Sequence, residues 1–443
     1  MSKDLARSPL RCSDRRRVLS VAIYLRIASP CFIHGVFQTC NLEPRAGFEP
    51  ATLRGIVSAL PLTRRMLSVA RRIYQAEPPR HQIGARLILD LKLLLTTIER
   101  RIMTSTGLGE RQIIRILTRR FATSQPPLPL GFDDDVAVFP ISRNRWIVLK
   151  TDMLFGHTDV PPGMSLEQAA RKAVVATVSD FAAKGVQPLG LLISLGLTPP
   201  VRPRTVNEIA MGLNRAAREY DCRILGGDTG ESDDLVIDCI GFGLAEPKRM
   251  LRRSGARPGD VIAVTGTFGK TAAGLRILLA KNKASAMRFS KLVESVTHPM
   301  ARLETGLQLA RSGAVHSSID SSDGLAWSLH EIARLSMVDI FLENIPVAPE
   351  AEVFARRESL VAEDLALYGG EEYELVVAIR RDAFSDLKKR IPSLIRIGRV
   401  EAGRGEVRVL SKGRIQRIEP RGWEHMVSMS PHSRNHPLSS RAH

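Results

Sequence analysis

The stretch SLEQAARKAVVATVSDFAAKG at 165–185, followed by LGLLISLGL at 189–197, decides the fold class. The first segment carries apolar residues at helical spacing and opens at Ser165, so it reads as a long helix with Asp180 towards its end. The second is a short unbroken apolar run, which reads as a buried strand. Working outward, DVAVFP and RWIVLKTD read as two strands upstream, and VNEIAMGLNRAAREY, CRILGGDTG and LVIDCIGFGLA as a helix and two strands downstream. GERQIIRILTRRF at 109–121 reads as a helix stopped by a Pro-rich segment. A second block starts near RRSGARPGD at 252–260. It continues as strand (VIAVTG), helix (KTAAGLRILLA), strand–acidic turn–helix (SSIDSSDGLAWSLHEIARL), then strand and helix within YGGEEYELVVAIRRDAFSDLKKRI, and closes on LIRIGRVEAG. Strands alternating with helices in both blocks predict an α/β or α+β architecture.

At 443 residues the chain is long enough for more than one domain. Its net charge of +18 is concentrated at one end: residues 1–102 hold 18 Lys/Arg against 7 Asp/Glu, whereas the remainder is only modestly basic. That distribution, with 5% aromatic residues, argues against a nucleic-acid partner for the motif-bearing region. No apolar run reaches membrane-spanning length, and Arg26 interrupts the one segment that loosely resembles a secretory signal, so the expected location is cytoplasmic. The five cysteines have neither zinc-site nor disulfide-framework spacing.

Residues 41–66, NLEPRAGFEPATLRGIVSALPLTRRM, resemble a peptide translated through a transfer-RNA gene. The natural start is therefore expected at Met103, with a basic disordered extension as the alternative. The expected organisation is an extension at 1–102, domains at 103–249 and 250–426, and a disordered tail at 427–443.

Seven aspartates carry the chemical signal: Asp134, Asp135, Asp152, Asp180, Asp228, Asp320 and Asp323. They read as lying in short Gly/Ser/Thr-rich turns, most of them beside apolar strands, where hard oxygen ligands can gather Mg²⁺ for a polyphosphate. GGDTGES at 226–232 alone is also an ordinary Gly–Asp turn. In SIDSSDGL at 318–325, Ser322 or Asp323 can equally be a helix cap, a role compatible with anion binding. GTFGKTAAG at 266–274 is not a nucleotide P-loop, because Val264 stands where that motif needs glycine. His157 and His298 are isolated, and no nucleophile–base pair stands out.

Taken together and in order, DDDVAVF, KTDML, VSDFAAKG, GGDTG, RRSGARPGD, VTGTFG, IDSSDGL, GGEEYEL, IGRV and GWEHM resemble the thiamine-monophosphate kinases, members of the aminoimidazole ribonucleotide synthetase-like superfamily. The resemblance implies a two-domain fold whose N-terminal sheet forms a dimer interface, with a C-terminal α/β domain of related type. It implies ATP-dependent phosphorylation of thiamine phosphate to thiamine diphosphate by a homodimer using several Mg²⁺ ions. Asp134, Thr151, Asp152, Asp180, Asp228, Asp320 and Asp323 would hold metal, Arg253 and Ser322 would contact ATP, and Glu371 and Trp423 would contact thiamine phosphate. The chain departs from the common bacterial pattern at Asp133, Lys150 and Glu372, and MLFGHTDVPPGM after Asp152 resembles archaeal-type members. His157 therefore has no secure counterpart. No catalytic base is expected, since a phosphate acceptor, with a second pKa of about 6, is already mostly dianionic at neutral pH. The readings left open are another ATP-dependent superfamily enzyme, such as aminoimidazole ribonucleotide synthetase, and a basic RNA-binding protein.

Overall fold

The computed structural model describes residues 108–122, 129–411 and 413–426. The readings of residues 1–102, of Met103 as the start and of the tail at 427–443 lie outside them. Two mixed sheets organise the described residues. The first contains β1 (Ala137–Ser142), β2 (Arg145–Phe155), β3 (Pro188–Leu197), β4 (Arg223–Glu231) and β5 (Val236–Ala245), in the order β1-β2-β5-β3-β4. Only β3 and β4 run parallel. The second sheet holds seven strands in the order β12-β11-β8-β10-β6-β9-β7. These are β6 (Val261–Val264), β7 (Val315–Asp320), β8 (Val338–Leu342), β9 (Leu375–Ile379), β10 (Ile395–Ala402), β11 (Val407–Ser411) and β12 (Arg414–Arg417). Its one parallel pair is β8 with β11.

The helix that joins the two sheets is the one read from 165–185. After α1 (Glu110–Ala122) and the short α2 (Gly156–Asp159), α3 spans Leu166–Lys184. It starts in a capping box: the Ser165 hydroxyl accepts from the Gln168 N–H and the Gln168 side chain accepts from the Ser165 N–H, satisfying two otherwise orphaned donors. It stops at Gly185, whose φ of +62° a side chain would resist. Its apolar residues share one cluster with α4 (Pro203–Glu219), with β3 and β5 of the first sheet and with Val261, Ala263, Val377 and Ile379 of the second. Strands β6 and β9 are buried on both faces, and their alternate residues Ile262, Val264, Val376 and Ala378 join a second core under α9 (Leu325–Ser336). Three helices between β6 and β7, α5 (Lys270–Leu279), α6 (Lys283–Arg288) and α7 (Ser290–Thr297), precede α8 (Leu303–Ser312). Helices α10 (Pro349–Arg357) and α11 (Ala362–Tyr368) precede β9, and α12 (Phe384–Arg390) follows it.

The strand, helix and strand read over RWIVLKTD, 165–185 and CRILGGDTG all form, with Asp152 within β2, Asp180 within α3 and GGDTG within β4, and it is the turn reading of these three aspartates that changes. The reason is that glycine in β4 does not break a strand whose backbone is held by the parallel partner β3 along its length. Asp134 and Asp323 do lie in bends, and Asp320 closes β7.

The crossing of α3 with α8 is backbone-tight. A methyl group on Gly306 would sit 2.0 Å from the Ala182 carbonyl oxygen, and one on Gly185 would sit 2.2 Å from the Ala310 Cβ. Gly306→Ala is therefore expected to destabilise the protein by about 1–3 kcal/mol through overpacking. Urea unfolding followed by circular dichroism checks this, and an unchanged midpoint would remove the close approach from the account.

Candidate active site

Three segments distant in sequence deliver carboxylates to one buried point. Asp135 comes from the bend before β1, Asp180 from about one turn before the end of α3 and Asp320 from the end of β7; one oxygen of each lies within 4.8 Å of the others. All three are nearly inaccessible, at 4–5% exposure. Ser179 on α3 donates to Asp320 Oδ2 at 2.7 Å, which ties β7 to the helix directly beside Asp180. Asp152 on β2 reaches the same region, since Lys150 bridges it at 3.5 Å to Asp180 at 2.8 Å.

The cluster is charged and partly neutralised from within. Lys184, one turn after Asp180 on the same face of α3, is completely buried and contacts both Asp134 and Asp135 at 2.5 Å. Arg253 donates through Nε to Asp135 Oδ1 at 2.6 Å and pairs with it again through its second nitrogen. Five carboxylates therefore face three cations, Lys150, Lys184 and Arg253.

The titration behaviour follows. Burial pulls the Asp135 carboxyl upward, but Arg253 and Lys184 outweigh it and hold it at about 2. Burial pushes Asp320 up to about 7, with Asp135 adding repulsion and the Ser179 hydroxyl opposing it. Asp180 is driven well above the usual carboxylate range by burial and by Asp320, Asp152 and Asp135, against the pull of Lys150. Lys150, in spite of burial, is raised by Asp152 and Asp180 and stays an ammonium. Hard oxygen donors crowded this closely, with two of them resisting ionisation for want of positive charge, suit a divalent cation such as Mg²⁺.

A second loop lines the same region. Glu371 and Tyr373 both adopt left-handed backbone, φ +62° and +52°. They are held there by the bond from the Glu371 N–H to the Ser322 carbonyl at 2.6 Å and from the Tyr373 N–H to the Ser321 carbonyl at 3.1 Å. Such strain in non-glycine residues is retained where the surroundings over-determine it, commonly at functional sites. Glu371 pairs with the buried Lys172 of α3. Trp423 hangs on the same turn, its N–H bonded to the Asp323 carbonyl at 2.9 Å. Arg111 of α1 clamps that corner, lying 3.4 Å over the Trp327 ring, 3.6 Å from Asp323 and 2.9 Å from the Trp423 carbonyl.

The structure thus brings together Asp134, Asp152, Asp180, Asp320 and Arg253, with Ser322 and Asp323 on the turn after β7 and Glu371 and Trp423 on two further segments bonded to that turn. It does not bring in Thr151 or Asp228. Strand alternation turns Thr151 to the opposite face of β2, where its hydroxyl donates to Asp238 at 2.7 Å. Asp228 sits on the exposed edge strand β4, opposite Ser194, which itself pairs with Asp238, so the register places it on that same outer face. Asp135, not Asp134, is the member of the close trio. Lys184 and Lys172 were missed, although their spacing of four and eight residues from Asp180 puts all three on one helical face.

Comparisons with known proteins identify the family. Residues 133–245 match the family model described as AIR synthase related protein, N-terminal domain. The thiamine-monophosphate kinase of Nitrosopumilus maritimus is 37% identical over 322 residues, 72% of this chain and 98% of the relative; that of Pyrococcus horikoshii is 35% identical over 323 residues, 72% and 97%. The chain belongs to the thiamine-monophosphate kinase family. A solved structure of AaThiL complexed with AMPPCP and TMP superposes with a TM-score of 0.63 at 29% identity, covering 72% of this chain and 97% of that one. A hydrogenase maturation protein HypE in complex with ATP, at 20% identity and a TM-score of 0.53, shares the fold. The archaeal relatives fit the archaeal-type reading of the segment after Asp152.

One family departure has a measurable consequence. Glu372 is buried where it accepts from the Thr271 N–H at 3.0 Å, and burial raises its pKa from 4.5 to about 7. The folded chain holds a proton there that the unfolded chain has released, so stability falls as pH rises from about 4.5 to about 7 and stays lower above that. Glu372→Gln is expected to remove that decline, on the order of 3 kcal/mol. Denaturant unfolding from pH 5 to 8 checks it; parallel pH curves for wild type and variant would contradict it.

Proposed function

We propose that the chain transfers the γ-phosphoryl group of ATP to thiamine phosphate, yielding thiamine diphosphate and ADP. The observation that carries this reading is the convergence of Asp135, Asp180 and Asp320 from three separate segments in a member of the thiamine-monophosphate kinase family. Mg²⁺ held by these carboxylates, with Asp152 beside them, would neutralise the phosphate oxygens that the reaction brings together. Phosphoryl transfer asks the protein chiefly for positioning and charge neutralisation. Arg253, anchored on Asp135, keeps a guanidinium beside the cluster and is assigned to the nucleotide with Ser322. Glu371, steered by Lys172 and bonded to Ser322, and Trp423, bonded to Asp323, are assigned to thiamine phosphate. No side chain needs to take a proton from a dianionic phosphate acceptor.

The same proposal includes a division into domains near residues 249 and 250, a cytoplasmic location and a homodimer formed through the first sheet. In support of the dimer, the outer face of that sheet exposes Phe139, Leu149, Met153, Leu192 and Leu244, each at 40% or more. No described helix is long and apolar enough to cross a membrane.

The test is a thiamine-diphosphate formation assay with and without Mg²⁺ on the wild type and Asp320→Asn. Activity is expected to require Mg²⁺ and to drop on the order of 100-fold or more in the variant, with its circular dichroism spectrum unchanged. A variant with wild-type rate would overturn the metal role of Asp320.

A further inference from the structure

Lys150 stands out among the site residues because it occupies a cation's place. Its ammonium lies 2.8 Å from Asp180 Oδ2 and 3.5 Å from Asp152 Oδ1, between the two carboxylates. Strand alternation fixes it there: Lys150 and Asp152 are two apart on β2, on the inner face, while Thr151 between them faces outward. Asp152 is not a member of the close trio of Asp135, Asp180 and Asp320, and the Lys150 ammonium occupies the place that joins Asp152 to Asp180. A second divalent ion bridging Asp152 and Asp180 would need the position that Lys150 holds, and two cations cannot share it.

We propose that Lys150 is a built-in substitute for one metal ion, so that this chain holds one divalent cation fewer at the carboxylate cluster than the same site would hold with a neutral residue at position 150. The inference rests on the metal-site reading given above. It makes Lys150 a positioning residue: it fixes Asp152 and Asp180 without a free ion, and it lowers the divalent-ion demand of the site.

The test counts bound ions. Metal-stripped full-length protein is titrated with Mn²⁺ in the presence of the non-hydrolysable ATP analogue β,γ-methylene-ATP, and free Mn²⁺ is followed by electron paramagnetic resonance. Lys150→Thr, which removes the charge and offers a hydroxyl oxygen, is expected to take up one more Mn²⁺ per chain than wild type, and Lys150→Arg to keep the wild-type count. Circular dichroism confirms folding, and Lys150→Gln replaces the threonine variant if that variant loses the native spectrum. Equal counts for the wild type and the neutral variant overturn the substitution by Lys150 while leaving the metal site standing. Absence of Mn²⁺ binding in all the proteins overturns the metal site itself, and the proposal with it.

Discussion

A buried helix that carries charge is the constraint on which the rest of this structure depends. Helix α3 is inaccessible over nearly its whole length, yet it contains Arg171, Lys172, Asp180 and Lys184. An unpaired buried charge costs several kcal/mol, so every one of these side chains must find an opposite charge on another element. Arg171 takes Glu219 at the end of α4, at 2.7 Å; Lys172 takes Glu371; Asp180 takes Lys150; Lys184 takes the Asp134–Asp135 pair. Four requirements on one rigid rod thereby fix a helix end, a loop of the second sheet, a strand of the first sheet and the bend before β1. The glycine-tight crossing with α8 sets the remaining degree of freedom.

The pairing is deliberately incomplete on the acidic side. Asp320 arrives from β7 bonded to the Ser179 hydroxyl, and burial with Asp135 nearby pushes it up to about 7. A site whose carboxylates outnumber its ammonium and guanidinium groups either keeps protons or gains positive charge, which is the physical link between the packing of α3 and the cation role proposed for these carboxylates. The left-handed backbone at Glu371 and Tyr373 follows from the same arrangement, because the loop must bond to the Ser321–Ser322 backbone while delivering Glu371 to Lys172.

Much of this was legible in the sequence. Ser165 opens α3 as read, the strands on either side of it form, and the second block gives β6, β7, β9 and β10 where alternation and acidic turns placed them. What was not legible has physical causes. Strands β8, β11 and β12 are only four or five residues long and are defined by their neighbours in the sheet, so no period persists long enough to show. The Gly-flanked Asp228 looked like a turn because local rules cannot see the parallel partner that straightens it. Thr151 and Asp152 were grouped by motif, whereas the two-residue period of a strand sends neighbours to opposite faces. Lys184 escaped notice since a lysine near a helix C-terminus is ordinarily a solvated end charge, and only tertiary structure shows it fully buried between two aspartates.

The most direct test of the central claim is anomalous scattering from crystals grown with Mn²⁺ and an ATP analogue. The account predicts a manganese peak in contact with the carboxylates of Asp180 and Asp320, with the phosphates of the nucleotide beside it. Manganese found only elsewhere on the chain, with those two carboxylates bound to no ion, would contradict it.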